Sequence, residues 1–337
     1  MKSRPKVVRV DKKIDRGYIK EEYEGLAKVN AELVLAECAN EDEIIEATKD
    51  ADAVLTLWAP LTRRVMESSP KLKVIVRYGI GYDSVDVNAA TDNGILVVNF
   101  PDFCLQEVAD HTFALLLACA RRVVYYNNLT KQGSWPQPSE VSSLLRPIYG
   151  QTLGLIGCGS IGRTVARKAK CFDLRVLGYD PYVDKSLAEE AGITLVSTMS
   201  ELLKESDYVS VHTFLSKETR HLIGEKEFRQ MKPTAYFFNT SRGPVVDEAA
   251  LIKALQQKWI AGAGIDVFEQ EPIAADNPLM KMDNVVISPH TAGVSEASVK
   301  RLKLGVGEEA ARVLSGKWPK NWVNKNVKPK VKLVKGD

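Results

Sequence analysis

The chain has 337 residues, 45% of them hydrophobic and 26% charged, enough to bury a full core in about two domains. Its 46 basic and 43 acidic residues nearly cancel to a net charge of +3 and are spread along the chain, which excludes a general attraction to nucleic acid. The longest apolar run, Phe113 to Ala120, is far below the roughly 20 residues that span a bilayer, so no membrane insertion is expected.

Short apolar runs alternate with amphipathic stretches from end to end, the pattern of strand and helix units on parallel sheets, so the fold class is α/β. Strands are predicted at Lys6 to Val10, Ala53 to Leu57, Val74 to Arg77 and Leu96 to Asn99. A second series runs through Thr152 to Ile156, Arg175 to Tyr179, Tyr208 to His212, Ala235 to Thr240, Gly262 to Val267 and Val285 to Ser288. Helices are predicted at Ser160 to Cys171, Met199 to Lys204 and Glu248 to Gln257. Glu107 to Tyr126, dense in Ala and Leu, reads as one long buried helix that packs between domains or in a dimer interface. From Lys317 to Lys335 the chain carries many lysines and few acids, and it reads as a solvated terminal segment. Cys38, Cys104, Cys119, Cys158 and Cys171 are odd in number and lack C-x-x-C spacing, and Met1 to Lys13 has no apolar signal core. A reducing cytoplasm is expected. No His, Cys, Asp and Glu set has metal-ligand spacing, so no metal is expected.

The apolar strand Leu153-Gly154-Leu155-Ile156 runs straight into Gly157-Cys158-Gly159-Ser160-Ile161-Gly162 and then into a helix-forming stretch. In this strand, turn and helix order, the first glycine permits the tight turn and the second lets backbone approach a pyrophosphate. The third lets helix and strand pack closely. The helix N-terminus then faces the phosphates with N–H groups and the positive end of its dipole. Asp180, about 20 residues further on at the end of the next strand, is placed to accept hydrogen bonds from the adenosine ribose hydroxyls. No Arg or Lys stands between Asp180 and Lys185 to neutralise a 2′-phosphate, so the cofactor expected is NAD rather than NADP.

A dinucleotide site that reduced a carbonyl beside a carboxylate would also need a cation for the carboxylate, a proton donor for the nascent alkoxide and a group that keeps the donor protonated. The distal half supplies each at or just after a strand end: Arg242 in Asn239-Thr240-Ser241-Arg242-Gly243, Glu271 in Glu269-Gln270-Glu271-Pro272, and His290 in Ser288-Pro289-His290. Taken singly, these could be a surface ion-pair residue, a flanking charge and a structural histidine. Their joint placement at carboxyl ends of strands, where ligands of open parallel sheets gather, points to chemistry. His111, His212 and His221 have no such placement and read as structural, although His212 ends a strand on the cofactor side.

These motifs, with Arg77-Tyr78-Gly79-Ile80-Gly81-Tyr82-Asp83 and Glu107-Val108-Ala109-Asp110-His111-Thr112, resemble the D-isomer-specific 2-hydroxyacid dehydrogenase family over nearly the whole chain. The resemblance implies two Rossmann-like domains with doubly wound parallel sheets and a cleft between them. A discontinuous, flavodoxin-like substrate domain would take residues 1–101 and 298–337, and an NAD-binding domain residues 102–297. It implies an NAD-dependent oxidoreductase acting on the CH-OH group of a small 2-hydroxy acid, or on the matching 2-oxo acid in reverse. Arg242 would hold the substrate's carboxylate and keto oxygen, His290 would be the acid and base, and Glu271 would orient and charge-stabilise His290. The backbone N–H groups of Ile80 and Gly81 would bind the carboxylate. Thr112, Ser160, Ile161, His212, Thr213, Thr240, Ser241, Asp266, His290 and Gly293 would join the glycines and Asp180 around the cofactor, with Asp266 on the nicotinamide carboxamide. A homodimer through the NAD domain is also implied.

Within the family, Phe100-Pro101-Asp102-Phe103-Cys104 and Tyr179-Asp180-Pro181-Tyr182-Val183-Asp184 are similar to bacterial enzymes related to the C-terminal binding protein corepressors. Those corepressors place a Trp three residues after the catalytic His, where this chain has Gly293, which implies a more open pocket. His212-Thr213-Phe214-Leu215 replaces the His-x-Pro-Leu of many members, and Glu271 departs from the Gln of formate dehydrogenase relatives. Trp135 would serve packing or cap a partner's substrate. The corepressor likeness leaves a second reading open, an NAD(H)-sensing binding protein that keeps the dehydrogenase fold.

Overall fold

The computed structural model describes residues 4–14, 19–141, 145 and 147–335. The chain forms two compact units, Met1–Phe103 with Ser295–Asp337, and Cys104–Val294. The first begins with β1 (Lys6–Asp11), α1 (Lys20–Leu26), β2 (Glu32–Glu37), α2 (Glu41–Thr48) and β3 (Ala53–Thr56). It continues with α3 (Arg63–Glu67), β4 (Val74–Arg77), α4 (Val87–Asp92) and β5 (Leu96–Val98). Its sheet is parallel throughout, in the order β2-β1-β3-β4-β5. Every residue of β3, β4 and the edge strand β5 is buried, because a parallel sheet of this kind is covered on both faces.

The second unit opens with α5 (Leu105–Ala120), α6 (Val123–Lys131), α7 (Pro138–Val141), β6 (Thr152–Ile156) and α8 (Ser160–Lys170). β7 (Arg175–Tyr179), α9 (Lys185–Glu190), β8 (Thr194–Leu195), α10 (Met199–Glu205) and β9 (Tyr208–Val211) follow. It ends with α11 (Glu225–Phe228), β10 (Tyr236–Asn239), α12 (Glu248–Gln256), β11 (Gly262–Ile265) and β12 (Val285–Ile287). The chain then returns to the first unit through α13 (Glu296–Leu314), started by Ser295, whose hydroxyl accepts from Ser298 N. The seven strands of the second unit are parallel in the order β12-β11-β10-β9-β6-β7-β8. From β6 the chain winds outward to β8, then crosses back and winds the other way from β9. The gap between the carboxyl ends of β6 and β9 is therefore a topological switch point, where open α/β sheets take their ligands.

All ten predicted strands are present, and two more were not anticipated: β2, an edge strand flanked by acids, and the two-residue β8. The single helix expected over Glu107 to Tyr126 is two. α5 buries Val108, Ala109, Thr112, Phe113, Leu115, Leu116, Cys119 and Ala120, while α6 buries none of its residues. Arg122, at φ 50° in the left-handed region, turns the chain where the apolar face ends.

The lysine-rich tail is not a solvated segment either. Trp318 and Trp322, with ring centroids 4.9 Å apart, Val327 and Leu333 interleave with the lysines and join the apolar cluster under α13. The charged heads of the lysines stay outside, as long cationic side chains allow, together with Asn326 and Val334.

Candidate active site

At the switch point, Gly157 has φ +94°, and a Cβ there would lie 2.7 Å from the His212 carbonyl oxygen. A Cβ on Gly162 would lie 2.3 Å from Gly157 O, so the missing side chain lets α8 settle onto the turn. Gly159 differs from both: a Cβ there meets nothing within 4 Å. Its lack of a side chain serves no internal packing and leaves open space in front of the first-turn N–H groups of α8, which have no intrahelical acceptors. Asp180 braces the same turn, its carboxylate accepting from Cys158 N and Tyr182 N at 2.9 Å each. Burial and then the nearby Asp180 charge push the Cys158 thiol up to about 12, so it stays protonated in the turn.

His212 follows β9 and bonds Ser210 Oγ at 2.9 Å; burial pushes its imidazole down to about 4, and the ring is neutral. Next to it, Thr213 Oγ1 is a buried hydroxyl with no hydrogen-bond partner among the described residues. An open glycine, unsatisfied helix N–H groups, an unpaired hydroxyl and a carboxylate at the second strand end form a donor set that fits a dinucleotide's pyrophosphate and ribose diol.

The turn after β10 is built by Asn239. Its Oδ1 accepts from Ser241 N at 3.0 Å and Ser241 Oγ at 2.8 Å, and its Nδ2 donates to Arg242 O at 2.9 Å. Gly243 lets this turn press onto the loop after β11, since a Cβ would sit 1.8 Å from Phe268 O. Arg242 is half-buried, with one guanidinium nitrogen donating to Ser241 O at 2.8 Å. Thr240 Oγ1 lies 3.1 Å from Thr112 Oγ1, and Thr112 is fully buried and donates to Val108 O.

Glu271 Oε1 accepts from Phe268 N at 3.0 Å, and Oε2 lies 2.6 Å from His290 Nδ1. Burial raises the Glu271 carboxyl, but the His290 and Phe268 hydrogen bonds and the charges of His290 and Arg242 together outweigh it and hold it below its ordinary 4.5. Glu271 is therefore an anion at neutral pH. His290 takes φ 54°, an uncommon conformation for a residue with a Cβ. The surrounding bonds impose it: His290 N donates to Asp266 O at 2.8 Å, and Asp266 Oδ1 accepts from Ser288 Oγ at 2.6 Å and Thr291 N at 2.9 Å. Asp266 Oδ2 accepts from Ala292 N at 2.9 Å.

His111, read from sequence as structural, completes this network, with Nε2 2.8 Å from Ser288 Oγ and 3.5 Å from Asp266 Oδ1. Sequence reasoning missed the organising part that Asp266 and His111 play. The available signal was a buried acid directly after a strand, facing a Ser-Pro-His turn.

The structure thus brings Arg242, Glu271 and His290 to the carboxyl edge of one sheet, and the glycine turn, Asp180, His212 and Thr213 to its switch point. Gly293 stands in the turn just past His290. Ile80 and Gly81 belong to the other unit, in the loop after β4. There Asn99 Nδ2 donates to Ile80 O at 2.6 Å and Phe100 N to Gly79 O at 3.0 Å. Among the described residues no cluster of His, Cys, Asp and Glu could hold a metal ion, and no helix is long and apolar enough to cross a membrane.

A parallel sheet with a glycine-rich turn at its switch point and an ionised carboxylate on a histidine at its edge defines a nucleotide-dependent oxidoreductase site. Comparison with known proteins narrows the class. Residues 113–292 match the family described as D-isomer specific 2-hydroxyacid dehydrogenase, NAD binding domain. The chain is 46% identical over 286 residues to the glyoxylate reductase of Korarchaeum cryptofilum (strain OPF8), covering 84% of this chain and 86% of the relative. It is 41% identical to the D-3-phosphoglycerate dehydrogenase of Methanocaldococcus jannaschii, over 90% of this chain and 57% of that longer protein. Among solved structures, D-lactate dehydrogenase from Aquifex aeolicus, complexed with NAD and lactic acid, superposes with a TM-score of 0.81 at 31% identity. That match covers 92% of this chain and 96% of the other. The chain belongs to the D-isomer-specific 2-hydroxyacid dehydrogenase family.

Proposed function

We propose that this protein is an NAD(H)-dependent 2-oxo acid reductase and D-2-hydroxyacid dehydrogenase, acting on a small acid of the glyoxylate and hydroxypyruvate class. The observation that carries the reading is the His290–Glu271 pair at 2.6 Å, with Arg242 near enough for its charge to help keep Glu271 ionised. Such a pair supplies the proton chemistry that turnover needs, so it favours turnover over the corepressor-like reading. The glyoxylate reductase names of several relatives support the substrate class.

Gly157, Gly159 and Gly162, with the N–H groups of Ser160 and Ile161, would hold the cofactor's pyrophosphate, and Asp180 its ribose hydroxyls. Thr213 Oγ1, Thr240 and Ser241 line the same edge as further polar contacts, above the buried Thr112. Asp266 has the spare acceptor capacity to take the carboxamide in addition to the turn it holds. Bound NADH supplies the hydride. Arg242 would bind the acid's carboxylate and keto oxygen through its planar fork, and the N–H groups of Ile80 and Gly81 would take the carboxylate. With Nδ1 held by Glu271, the His290 proton given to the substrate oxygen is the one on Nε2, and in oxidation Nε2 takes it back. Gly293 leaves the space after His290 without a side chain.

The reading extends to a homodimer, supported by α6, whose Val123 is 56% exposed and whose neighbour Trp135 is 78% exposed. Sedimentation velocity is expected to give twice the chain mass. It extends also to a cytoplasmic location, supported by five cysteines held as thiols.

Turnover is tested by following NADH absorbance with glyoxylate, hydroxypyruvate, pyruvate, phosphohydroxypyruvate and branched or aromatic 2-oxo acids. Oxidation of NADH by none of them would sink the proposal. The two glycine roles separate by mutation. Gly159→Ala is expected to leave Tm unchanged and to weaken NADH binding by about tenfold or more, since the new methyl enters only the phosphate's space. Gly162→Ala is expected to lower Tm, because its methyl lands on Gly157 O. Equal thermal effects in the two variants would contradict the assignment.

A further inference from the structure

Beyond α13 the chain runs back along β5, the edge of the first sheet. Val323 N donates to Val97 O at 2.7 Å, and the Asn324 side chain stands in for a neighbouring strand. Its Oδ1 accepts from Val97 N at 3.0 Å, while its Nδ2 donates to Ile95 O at 2.8 Å. These bonds cover the sheet edge and hold the strap in place.

Asn321 adds nothing to that edge. Its Nδ2 reaches past the end of β5 to Asn99, donating to Asn99 Oδ1 at 2.6 Å and, more weakly, to Asn99 O at 3.4 Å. Asn99 is buried, and its own Nδ2 donates to Ile80 O at 2.6 Å. A chain of two short bonds therefore links the C-terminal strap to the Ile80–Gly81 peptide.

The planarity of that peptide gives the chain a consequence. The carbonyl of Ile80 and the N–H of Gly81 belong to one rigid trans unit and point in opposite directions, so whatever fixes the carbonyl aims the N–H. A carbonyl that accepts a strong bond also polarises the N–H across the same peptide. Asn99 alone would not ensure this, since the terminal torsion of an asparagine is broad and roughly two-fold. With its amide turned over, Asn99 would set oxygen against the Ile80 oxygen. A donor from Asn321 on Asn99 Oδ1 permits only the orientation that puts Nδ2 on Ile80 O.

We infer that Asn321 is a positioning residue for the acid substrate, acting through Asn99 to aim the Gly81 N–H. The inference rests on the proposed reading that the Ile80 and Gly81 N–H groups take the substrate's carboxylate. It assigns a functional part to a lysine-rich tail that the sequence alone presents as solvated.

Asn321→Asp is nearly isosteric and keeps the strap's packing, but it replaces the donor with an acceptor facing Asn99 Oδ1. The expected result is a roughly five- to tenfold rise in KM for the 2-oxo acid and an equal rise in the Kd of oxalate measured with NADH present. kcat and the Kd of NADH stay within about twofold. In the protein without ligands, amide hydrogen exchange over residues 78–83 becomes faster, a readout independent of turnover. Asn321→Ala, which removes the donor without adding a charge, is expected to give the same KM-against-kcat split.

A lowered Tm with unchanged KM, unchanged oxalate affinity and unchanged exchange would overturn the inference, leaving Asn321 a packing residue. A parallel loss of NADH affinity would overturn it too. Turnover by the wild type with unaltered KM in Asn321→Asp sinks this inference alone, whereas a wild type that reduces no 2-oxo acid sinks the functional reading beneath it.

Discussion

Replacing Arg242 with alanine is expected to lower kcat/KM for the 2-oxo acid by about a thousandfold or more, while the Kd of NADH stays within about twofold. The expectation rests on how the turn is built. Asn239 holds it through Ser241 N, Ser241 Oγ and Arg242 O, none of which belongs to the Arg242 side chain. Gly243 seats the turn on Phe268 O by backbone alone. Truncation at Arg242 therefore removes the guanidinium and leaves its mounting. The loss should be larger than that of one neutral hydrogen bond, because a planar cation is lost from both the carboxylate and the oxygen where charge develops. Arg242→Lys restores a charge without the fork and should recover only a small part of the rate. Steady-state kinetics and a fluorescence titration with NADH check both halves. Retained turnover, or NADH affinity falling with it, would remove Arg242 from the substrate's side of the site.

The parts of this site that the sequence makes legible are local ones. The strand, glycine turn and helix from Leu153 onward are encoded in consecutive residues, and Asp180 follows one strand later. Arg242, Glu271 and His290 are legible in a weaker sense: each sits just past a strand, and the resemblance supplies their roles. What binds them to one another is not local. Asp266 holds the turn that carries His290, and His111 reaches that turn from 177 residues away.

A buried acid with two backbone N–H donors and a hydroxyl around it looks, in a sequence, like any other acid after a strand. The strap bonds span still longer separations, 222 residues from Asn321 to Asn99, and no periodicity foretells them. The break between α5 and α6 was hidden for a different reason. No Pro or Gly separates the two helices, and the buried face ends at Ala120 just before the chain turns at Arg122.

Glu271→Gln separates orientation from charge at the histidine, and it is expected to lower kcat/KM for reduction by about a hundredfold. Glutamine keeps one acceptor where glutamate has two. If that oxygen stays on Phe268 N, its NH₂ group faces His290 Nδ1 and makes that nitrogen an acceptor. A ring so held carries its single proton on Nε2 and could give it up only as an imidazolate, which makes a poor acid. The anion of Glu271 instead accepts from Nδ1–H, so a ring that gives up its Nε2 proton is left neutral.

The loss is therefore expected in the proton-transfer step, with the Kd of NADH within about twofold of the wild type. Stability changes in the acid range for a related reason. The folded Glu271 carboxyl lies below its ordinary 4.5, so its stabilising contribution is fully present above that value. It is lost as pH falls through the lowered folded value. Glutamine does not titrate, so the variant should lose less stability than the wild type between neutral pH and the acid side of that window, as read by denaturant midpoints at each pH. A variant that keeps the wild-type kcat/KM for reduction would mean that Glu271 only holds the loop, and the proton chemistry would then have to be assigned to His290 without it.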